Sequence, residues 1–260
     1  MAEYVGGDEE NFVKMMNEKA KELKLMHTHF VNPTGLDEKG HYSSAYDVAI
    51  IASELMKHQD VFKYTTLYED YLRKNTDRKF WLVNTNKLLK SYKGVDGLKT
   101  GMTDNAGYTM AVTAKRDGLR LLAVVLGETS GKERNKEVAE MLDYGFNNYE
   151  VTTIKNKDDI VGEIKIDKAE PEKIDVKVGS DVTILRKKGD KVKEYNSEVK
   201  LGDVKLPLRS GEVIGKLLVK DGSNTIKQVD LISSSDMKKK GFFNLWLNTF
   251  KSIMTGDLIS

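Results

Sequence analysis

The spacing of hydrophobic and polar residues changes along the chain and divides it into three parts. Up to residue 148, segments with helical spacing alternate with strand-like apolar runs, which predicts an α+β region. Between residues 149 and 234, apolar and polar positions alternate and glycines recur at turn-like intervals, which predicts a small all-β domain. Residues 235–260 contain a basic stretch followed by an aromatic-rich one, which we interpret as a separate terminal segment.

Within the first part, three helices are predicted from apolar spacing and capping residues. The first covers Ala2 to Leu25 with a break at Gly6-Gly7, after which Asp8 is the expected N-cap. The second begins after Ser43-Ser44, and the third runs from Ser130 to Tyr149.

Two strands are predicted before the third helix. They cover Gly107 to Ala114 and Leu119 to Gly127, and the Asp117-Gly118 pair between them favours a hairpin. The second run is almost entirely apolar, which is typical of a strand that is buried on both faces.

The terminal segment has the composition of a helix that lies in a membrane interface. Three lysines at positions 238–240 precede an apolar stripe, and the opposite side is largely polar. The alternative is a terminal helix that packs on the chain's own core. The candidate membrane-contacting residues are Phe242, Phe243, Trp246, Phe250 and Ile253.

Composition excludes several classes of function. The formal net charge is only +2, so the sequence gives little support for nucleic-acid binding. Cysteine is absent, which excludes disulfides and thiolate metal sites, and His27 and His29 lack a nearby third ligand. No apolar run approaches the roughly 18 residues of a spanning helix. The first residues do not resemble a signal peptide, which taken alone favours the cytoplasm.

The strongest chemical signal is the triplet Lys99-Thr100-Gly101, which follows a short apolar run. On a strand beside a nucleophile, Lys99 would favour a substrate carboxylate and Thr100 would hydrogen bond to it. Gly101 would let a substrate approach the backbone and pair along the strand edge. Three residues alone are weak evidence, since an ordinary edge-strand turn can carry the same string.

Several blocks surround the triplet in a fixed order. They are Phe30–Asp37, Gly40–Asp47, Asn84–Leu88, Gly94–Thr103, Ala106–Tyr108, Ala114–Gly118 and Val124–Gly127. The identity and order of these blocks resemble those of the low-molecular-mass penicillin-binding proteins, which are serine-type D-alanyl-D-alanine carboxypeptidases. The resemblance covers residues 1 to about 235.

The resemblance implies a fold and a reaction. The expected fold is α+β: a partial β-lactamase/transpeptidase-like domain with helices on an antiparallel sheet, a small β-sandwich-like domain, and an amphipathic anchor helix. In that family a serine attacks the bond between the two terminal D-alanines of a peptidoglycan stem peptide, and water hydrolyses the acyl-enzyme. The implied partners are stem peptides, β-lactam antibiotics and the outer face of the bacterial cytoplasmic membrane; no cofactor is implied.

The resemblance also assigns roles to residues. It implies that Lys99 and Thr100 bind substrate, that Gly101 lies at the substrate edge, and that the Met102 N–H supplies half of an oxyanion hole. Arg134 matches a family arginine near the triplet, although an ordinary surface arginine is an equal alternative.

The sequence departs from the family in its nucleophile. Family members carry a Ser-x-x-Lys and a Ser-x-Asn motif before the segment that aligns with Ala2. This chain has no Ser-x-Asn string, and its two Ser-x-x-Lys strings, Ser197–Lys200 and Ser235–Lys238, follow the triplet. We therefore expect an N-terminally shortened chain that is inactive by itself. The same shortening would explain the absent signal peptide, so the cytoplasmic inference is withdrawn.

Three functions compete at this point. The leading one is a peptidoglycan D-Ala-D-Ala carboxypeptidase. The second is a non-catalytic peptidoglycan-binding or membrane-associated pseudoenzyme, and the third is a β-lactamase-like hydrolase, which the C-terminal parts disfavour. We also expect the Leu119–Gly127 strand to expose an unpaired apolar edge, which favours instability or self-association.

Overall fold

The computed structural model describes residues 1–191 and 193–241, and the chain divides into two compact units, Met1–Glu150 and Val151–Ser260. The predicted membrane-contacting residues Phe242, Phe243, Trp246, Phe250 and Ile253 lie outside the described residues. In the described part, no helix combines the length and the apolar character needed to cross a membrane.

The first unit contains the predicted helices, and side chains cap the longer ones. Asp8 accepts a hydrogen bond from the Asn11 N–H at 2.7 Å, which confirms it as the N-cap, and Ser130 accepts from the Glu133 N–H at 3.1 Å. The helices are α1 (Ala2–Gly6), α2 (Glu9–Glu22), α3 (Ala45–Leu55), α4 (Phe62–Thr65), α5 (Leu88–Ser91) and α6 (Gly131–Asn148), with a 3₁₀ turn at Gln59–Val61.

A short exposed hairpin precedes the main sheet. Its strands are β1 (Glu69–Leu72) and β2 (Phe80–Val83), paired antiparallel with Tyr71 opposite Trp81. This hairpin was not predicted from the sequence. Neither segment alternates apolar with polar residues, because β1 begins with two acids and β2 is apolar throughout.

The main sheet is antiparallel with the order β3-β4-β5. Its strands are β3 (Val95–Thr103), β4 (Gly107–Arg116) and β5 (Leu119–Glu128). The β4–β5 hairpin agrees with the predicted one. Both α3 and α6 pack on β5. The buried core includes Met110, Val112 and Ala114 of β4 and Val138, Leu142 and Phe146 of α6.

In the described residues β3 and β5 each pair with β4 only, so each has an open edge. The prediction that β5 is buried on both faces is only partly correct. Leu119, Ala123 and Val125 are buried, whereas Leu126 is 37 % exposed.

The second unit is built from strands, and its described part has a core of Ile, Leu, Val and Met side chains. Its five-stranded sheet has the order β11-β12-β13-β9-β7, and two smaller sheets pair β10 with β6 and β14 with β8. The first unit thus has helices and an antiparallel sheet, and the second is all-β. This agrees with the predicted α+β fold class. The strands are β6 (Tyr149–Lys155), β7 (Ile160–Lys165), β8 (Ala169–Glu170), β9 (Lys173–Val178), β10 (Val182–Lys187), β11 (Asn196–Leu201), β12 (Val213–Asp221), β13 (Asn224–Ser233) and β14 (Lys238–Lys239).

Candidate active site

The Lys-Thr-Gly triplet lies on β3, the edge strand of the main sheet. Because side chains alternate along a strand, Lys99 and Gly101 lie on one face and Thr100 on the other. Lys99 is exposed and its ammonium group donates to the Thr100 carbonyl, while Thr100 is only 7 % exposed. The cationic and hydroxyl groups of the triplet are therefore presented from opposite faces of one strand.

Thr100 has a partner that was not predicted from the sequence. Its hydroxyl shares a hydrogen bond of 2.5 Å with the Thr85 hydroxyl, fifteen residues earlier. In the sequence, Asn84–Leu88 is one block of the family pattern, and nothing in it indicates this contact. The contact places a second hydroxyl beside the one that is expected to bind a carboxylate.

The two asparagines around Thr85 hold it in place. The Asn86 N–H donates to Asn84 Oδ1 at 2.9 Å, and the Asn86 side-chain amide reaches the Gly97 carbonyl at 3.4 Å. Asn86 is 1 % exposed, so its side chain is a buried link between this turn and β3. The sequence signal for this turn was a threonine with an asparagine on each side.

Gly101 is required by packing inside the sheet. A Cβ atom at this position would lie 2.6 Å from Oγ1 of Thr109, its cross-strand neighbour on β4. Any larger residue would displace Thr109 or bend the edge strand. From the sequence, the approach of a substrate was the only reason for this glycine.

Arg134 lies in the first turn of α6 and is 6 % exposed, so it is not an ordinary surface arginine. Its Nη1 donates to the Thr109 carbonyl at 3.5 Å and its Nη2 donates to Asn135 Oδ1 at 2.9 Å. Burial lowers the pKa of the guanidinium below its ordinary value, although the Tyr108 phenol opposes this. Arginine still remains charged at neutral pH. The structure thus brings Arg134 to the strand residue that faces Gly101.

The beginning of β3 is fixed by an ion pair across the sheet. Arg120 donates to both carboxylate oxygens of Asp96, at 2.9 and 2.8 Å, and the Thr65 hydroxyl donates to the Asp96 carbonyl at 2.7 Å. Paired N–H donors facing a carboxylate restrict orientation as well as distance. The strand that carries the triplet is therefore anchored ahead of Lys99.

The end of β3 is less buried. Met102 is 56 % exposed and lies opposite Tyr108 of β4. A cleft of about 700 Å³ lies beside the following turn, between it and residues 35–43, and Thr103, Asn105 and Thr109 line it. Lys99 is not among the described residues that line this cleft.

Neither Ser-x-x-Lys string lies in a catalytic setting. Ser197 is exposed on β11, and the Ser235 carbonyl accepts a hydrogen bond from the Ser233 hydroxyl at 2.5 Å, close to β14. Both serines belong to the second unit, and neither begins a helix.

The two candidate metal-binding histidines differ in the groups that make contacts. The imidazole Nδ1 of His29 lies 2.9 Å from the Gly40 carbonyl, whereas His27 donates through its backbone N–H to Asp47 Oδ2 at 2.8 Å. Across residues 1–191 and 193–241, no three His, Cys, Asp or Glu side chains come together as a metal site.

Comparisons with known proteins cover both units. The family model described as D-alanyl-D-alanine carboxypeptidase matches residues 1–130, which is half of the chain. The model described as penicillin-binding protein 5, C-terminal domain, matches residues 149–239.

Individual relatives agree with these family matches. D-alanyl-D-alanine carboxypeptidase DacF of Bacillus subtilis is 45 % identical over 250 residues, which are 96 % of this chain and 64 % of that protein. DacA of Haemophilus influenzae is 32 % identical over 95 % of this chain and 63 % of that protein. The crystal structure of penicillin-binding protein 5 from Haemophilus influenzae has a TM-score of 0.60 at 30 % identity, covering 92 % of this chain and 69 % of that one. The chain thus spans less than two thirds of the length of the two carboxypeptidases.

Proposed function

The chain belongs to the D-alanyl-D-alanine carboxypeptidase family, and on that premise we propose that it recognises peptidoglycan stem peptides ending in D-Ala-D-Ala for removal of the terminal D-alanine. The observation that carries the proposal is the position of Lys99-Thr100-Gly101 on a strand with an open edge. An extended peptide can pair with such an edge through main-chain hydrogen bonds.

Most site residues have a role in this proposal. The Lys99 ammonium favours the free C-terminal carboxylate of the stem peptide. Thr100 is buried on the opposite face of β3, where its hydrogen bond with Thr85 holds the strand in place, so the carboxylate contact expected for its hydroxyl is not part of this proposal. The Met102 N–H faces the oxyanion that develops at the scissile carbonyl. Arg134 adds a buried positive charge behind the strand, next to the carbonyl of Thr109.

The proposal is tested by comparing the affinity of the chain for three peptides that differ at the C-terminus. We expect a diacetylated Lys-D-Ala-D-Ala peptide to bind, and its C-terminal amide to bind about tenfold more weakly because a charged hydrogen bond is lost. The control peptide ends in L-Ala-L-Ala. Equal affinity for all three peptides, measured by calorimetry or NMR titration, would refute recognition of a D-Ala-D-Ala terminus.

We assign the nucleophile to neither Ser197, which is exposed on β11, nor Ser235, which lies close to β14, because neither begins a helix. The second candidate is a non-catalytic peptidoglycan-binding function. Labelling with a fluorescent penicillin distinguishes the carboxypeptidase from the non-catalytic function, because acylation requires a serine that is activated beside the Lys-Thr-Gly strand. We expect no covalently labelled band. A band that disappears in Ser197→Ala or Ser235→Ala would overturn the assignment.

We further propose that the protein works outside the cytoplasm, at the outer surface of the bacterial cytoplasmic membrane. The family's peptidoglycan substrate and the apolar stripe that includes Trp246 and Phe250 support this location. We expect the chain to sediment with phosphatidylglycerol vesicles and Trp246→Asp to remain in the supernatant. Equal sedimentation of both proteins would contradict a membrane role for the stripe.

A further inference from the structure

A closed loop lies beside the end of β3. Residues 29–42 form the loop, whose ends pair through His29 N–H to the Tyr42 carbonyl at 2.9 Å and Tyr42 N–H to the His29 carbonyl at 3.1 Å. Within it, the Val31 N–H donates to His41 Nδ1 at 3.1 Å. The loop is therefore closed at its base and hydrogen bonded inside.

Asn32 organises the tip of this loop. It is 8 % exposed, and its Oδ1 accepts from the Gly35 N–H at 2.8 Å and the Thr34 hydroxyl at 2.9 Å. Its Nδ2 donates to the Leu36 carbonyl and to Glu38, both at 3.1 Å. A single buried amide thus fixes the backbone from which Asp37 projects.

Asp37 links this loop to the turn after the Lys-Thr-Gly strand. The Thr103 hydroxyl donates to Asp37 Oδ1 at 2.7 Å, and the Asn105 N–H donates to Asp37 Oδ2 at 3.2 Å. The same hydroxyl accepts from the Ala106 N–H at 3.0 Å. The partners are 66 and 68 residues from Asp37 in sequence, so the contact joins two separate parts of the first unit.

We propose that Asp37 is a positioning residue for the substrate-binding edge of β3. Thr103 is the last residue of β3 and follows Met102 directly, so fixing its side chain fixes the adjacent backbone. The idea rests on the proposed function, since Met102 is the residue whose N–H is assigned to the oxyanion. Asp37 acts through Thr103 and Asn105 and does not touch the substrate.

Two roles of Asp37, capping the turn locally and positioning the end of β3, lead to different expected substrate affinities. Both Asp37 and Asn105 are exposed, so loss of the contact leaves the core of the sheet unchanged. If Asp37 only caps the turn, substrate affinity will not depend on it. If Asp37 positions the strand end, both amide protection and affinity will fall when it is changed.

The first measurement is amide hydrogen exchange followed by NMR on the full chain. Asp37→Asn leaves one side-chain oxygen for two donors, the Thr103 hydroxyl and the Asn105 N–H, so we expect residues 102–106 to exchange about tenfold faster. The buried amides of β4 should not change. Asp104→Asn removes the same charge from the same turn and serves as the control. Exchange in Asp37→Asn within twofold of wild type, or faster everywhere in the unit, would overturn the proposal.

The second measurement is affinity for diacetylated Lys-D-Ala-D-Ala. We expect Asp37→Asn and the isosteric Thr103→Val to bind about threefold to tenfold more weakly, whereas Thr103→Ser, which keeps the hydroxyl, restores binding. Wild-type affinity in Asp37→Asn would overturn the positioning role. If the wild-type chain does not distinguish this peptide from the L-Ala-L-Ala control, the proposed function fails, and hydrogen exchange alone decides whether Asp37 holds the strand end.

Discussion

Tyr92 shows how a single polar contact joins the segment before β3 to the last helix of the first unit. Its hydroxyl donates to Asp143 Oδ1 at 2.6 Å, and the Arg116 guanidinium lies over the rings of Tyr92 and Phe146, 4.4 Å from each centroid. Burial, followed by the hydrogen bond to Asp143, raises the pKa of Tyr92 to about 12 from the ordinary 10.0. The folded state therefore favours the protonated phenol.

This shift makes stability depend on pH in the alkaline range. A raised pKa contributes stability that is complete below pH 10.0 and is lost as pH rises towards about 12. We expect the free energy of unfolding to fall more steeply over this interval in wild type than in Tyr92→Phe. Urea unfolding at several pH values measures the difference. Parallel curves for the two proteins would show that Tyr92 titrates normally.

At the residue scale, the sequence located the triplet but not the side chains that support it. Lys99, Thr100 and Gly101 are adjacent in the chain, so one string of letters reveals them. Thr85 and Asp37 contact β3 only because turns and loops return to it from 15 and 66 residues away. Burial of Arg134 depends in the same way on how α6 packs, which spacing alone does not specify.

At the element scale, β5 has an exposed edge with few protecting charges. Its central residues, from Leu121 to Leu126, are all apolar, and in the described part of the chain only β4 pairs with it. Edge strands of this kind pair readily with other chains unless a charged residue prevents it.

We therefore expect this polypeptide to self-associate as its concentration rises. Leu126→Lys should shift it towards the monomer, because the lysine places a charge on that edge. Leu82→Lys adds the same charge to the separate β1–β2 hairpin and should have no effect. Sedimentation velocity measures both variants. A monomeric wild type, or equal behaviour of the two variants, would contradict self-association through β5.

Predictions of elements succeeded where local chemistry determines them. Asp8 and Ser130 cap the helices that follow them, and Asp117-Gly118 joins β4 to β5, because caps and turns depend on a few neighbouring residues. The β1–β2 hairpin was missed because its exposed strands lack alternation. The burial of β5 was overestimated because it depends on what covers the strand.

At the scale of the whole molecule, family membership and fold agree over both units. The second unit has its own core and carries both Ser-x-x-Lys strings, while the triplet, Thr85 and Arg134 lie in the first unit. The recognition chemistry that we propose is therefore contained in residues 1–150, where the carboxypeptidase family model also matches.

The most direct test of this recognition compares two lysine variants. Lys99→Met removes the charge from the triplet, and Lys115→Met removes an exposed lysine from β4 of the same sheet. We expect Lys99→Met to bind diacetylated Lys-D-Ala-D-Ala at least about tenfold more weakly than wild type, since a charged hydrogen bond is lost. Lys115→Met should bind as wild type does. Unchanged affinity in Lys99→Met, or an equal loss in both variants, would contradict recognition of the carboxylate by β3.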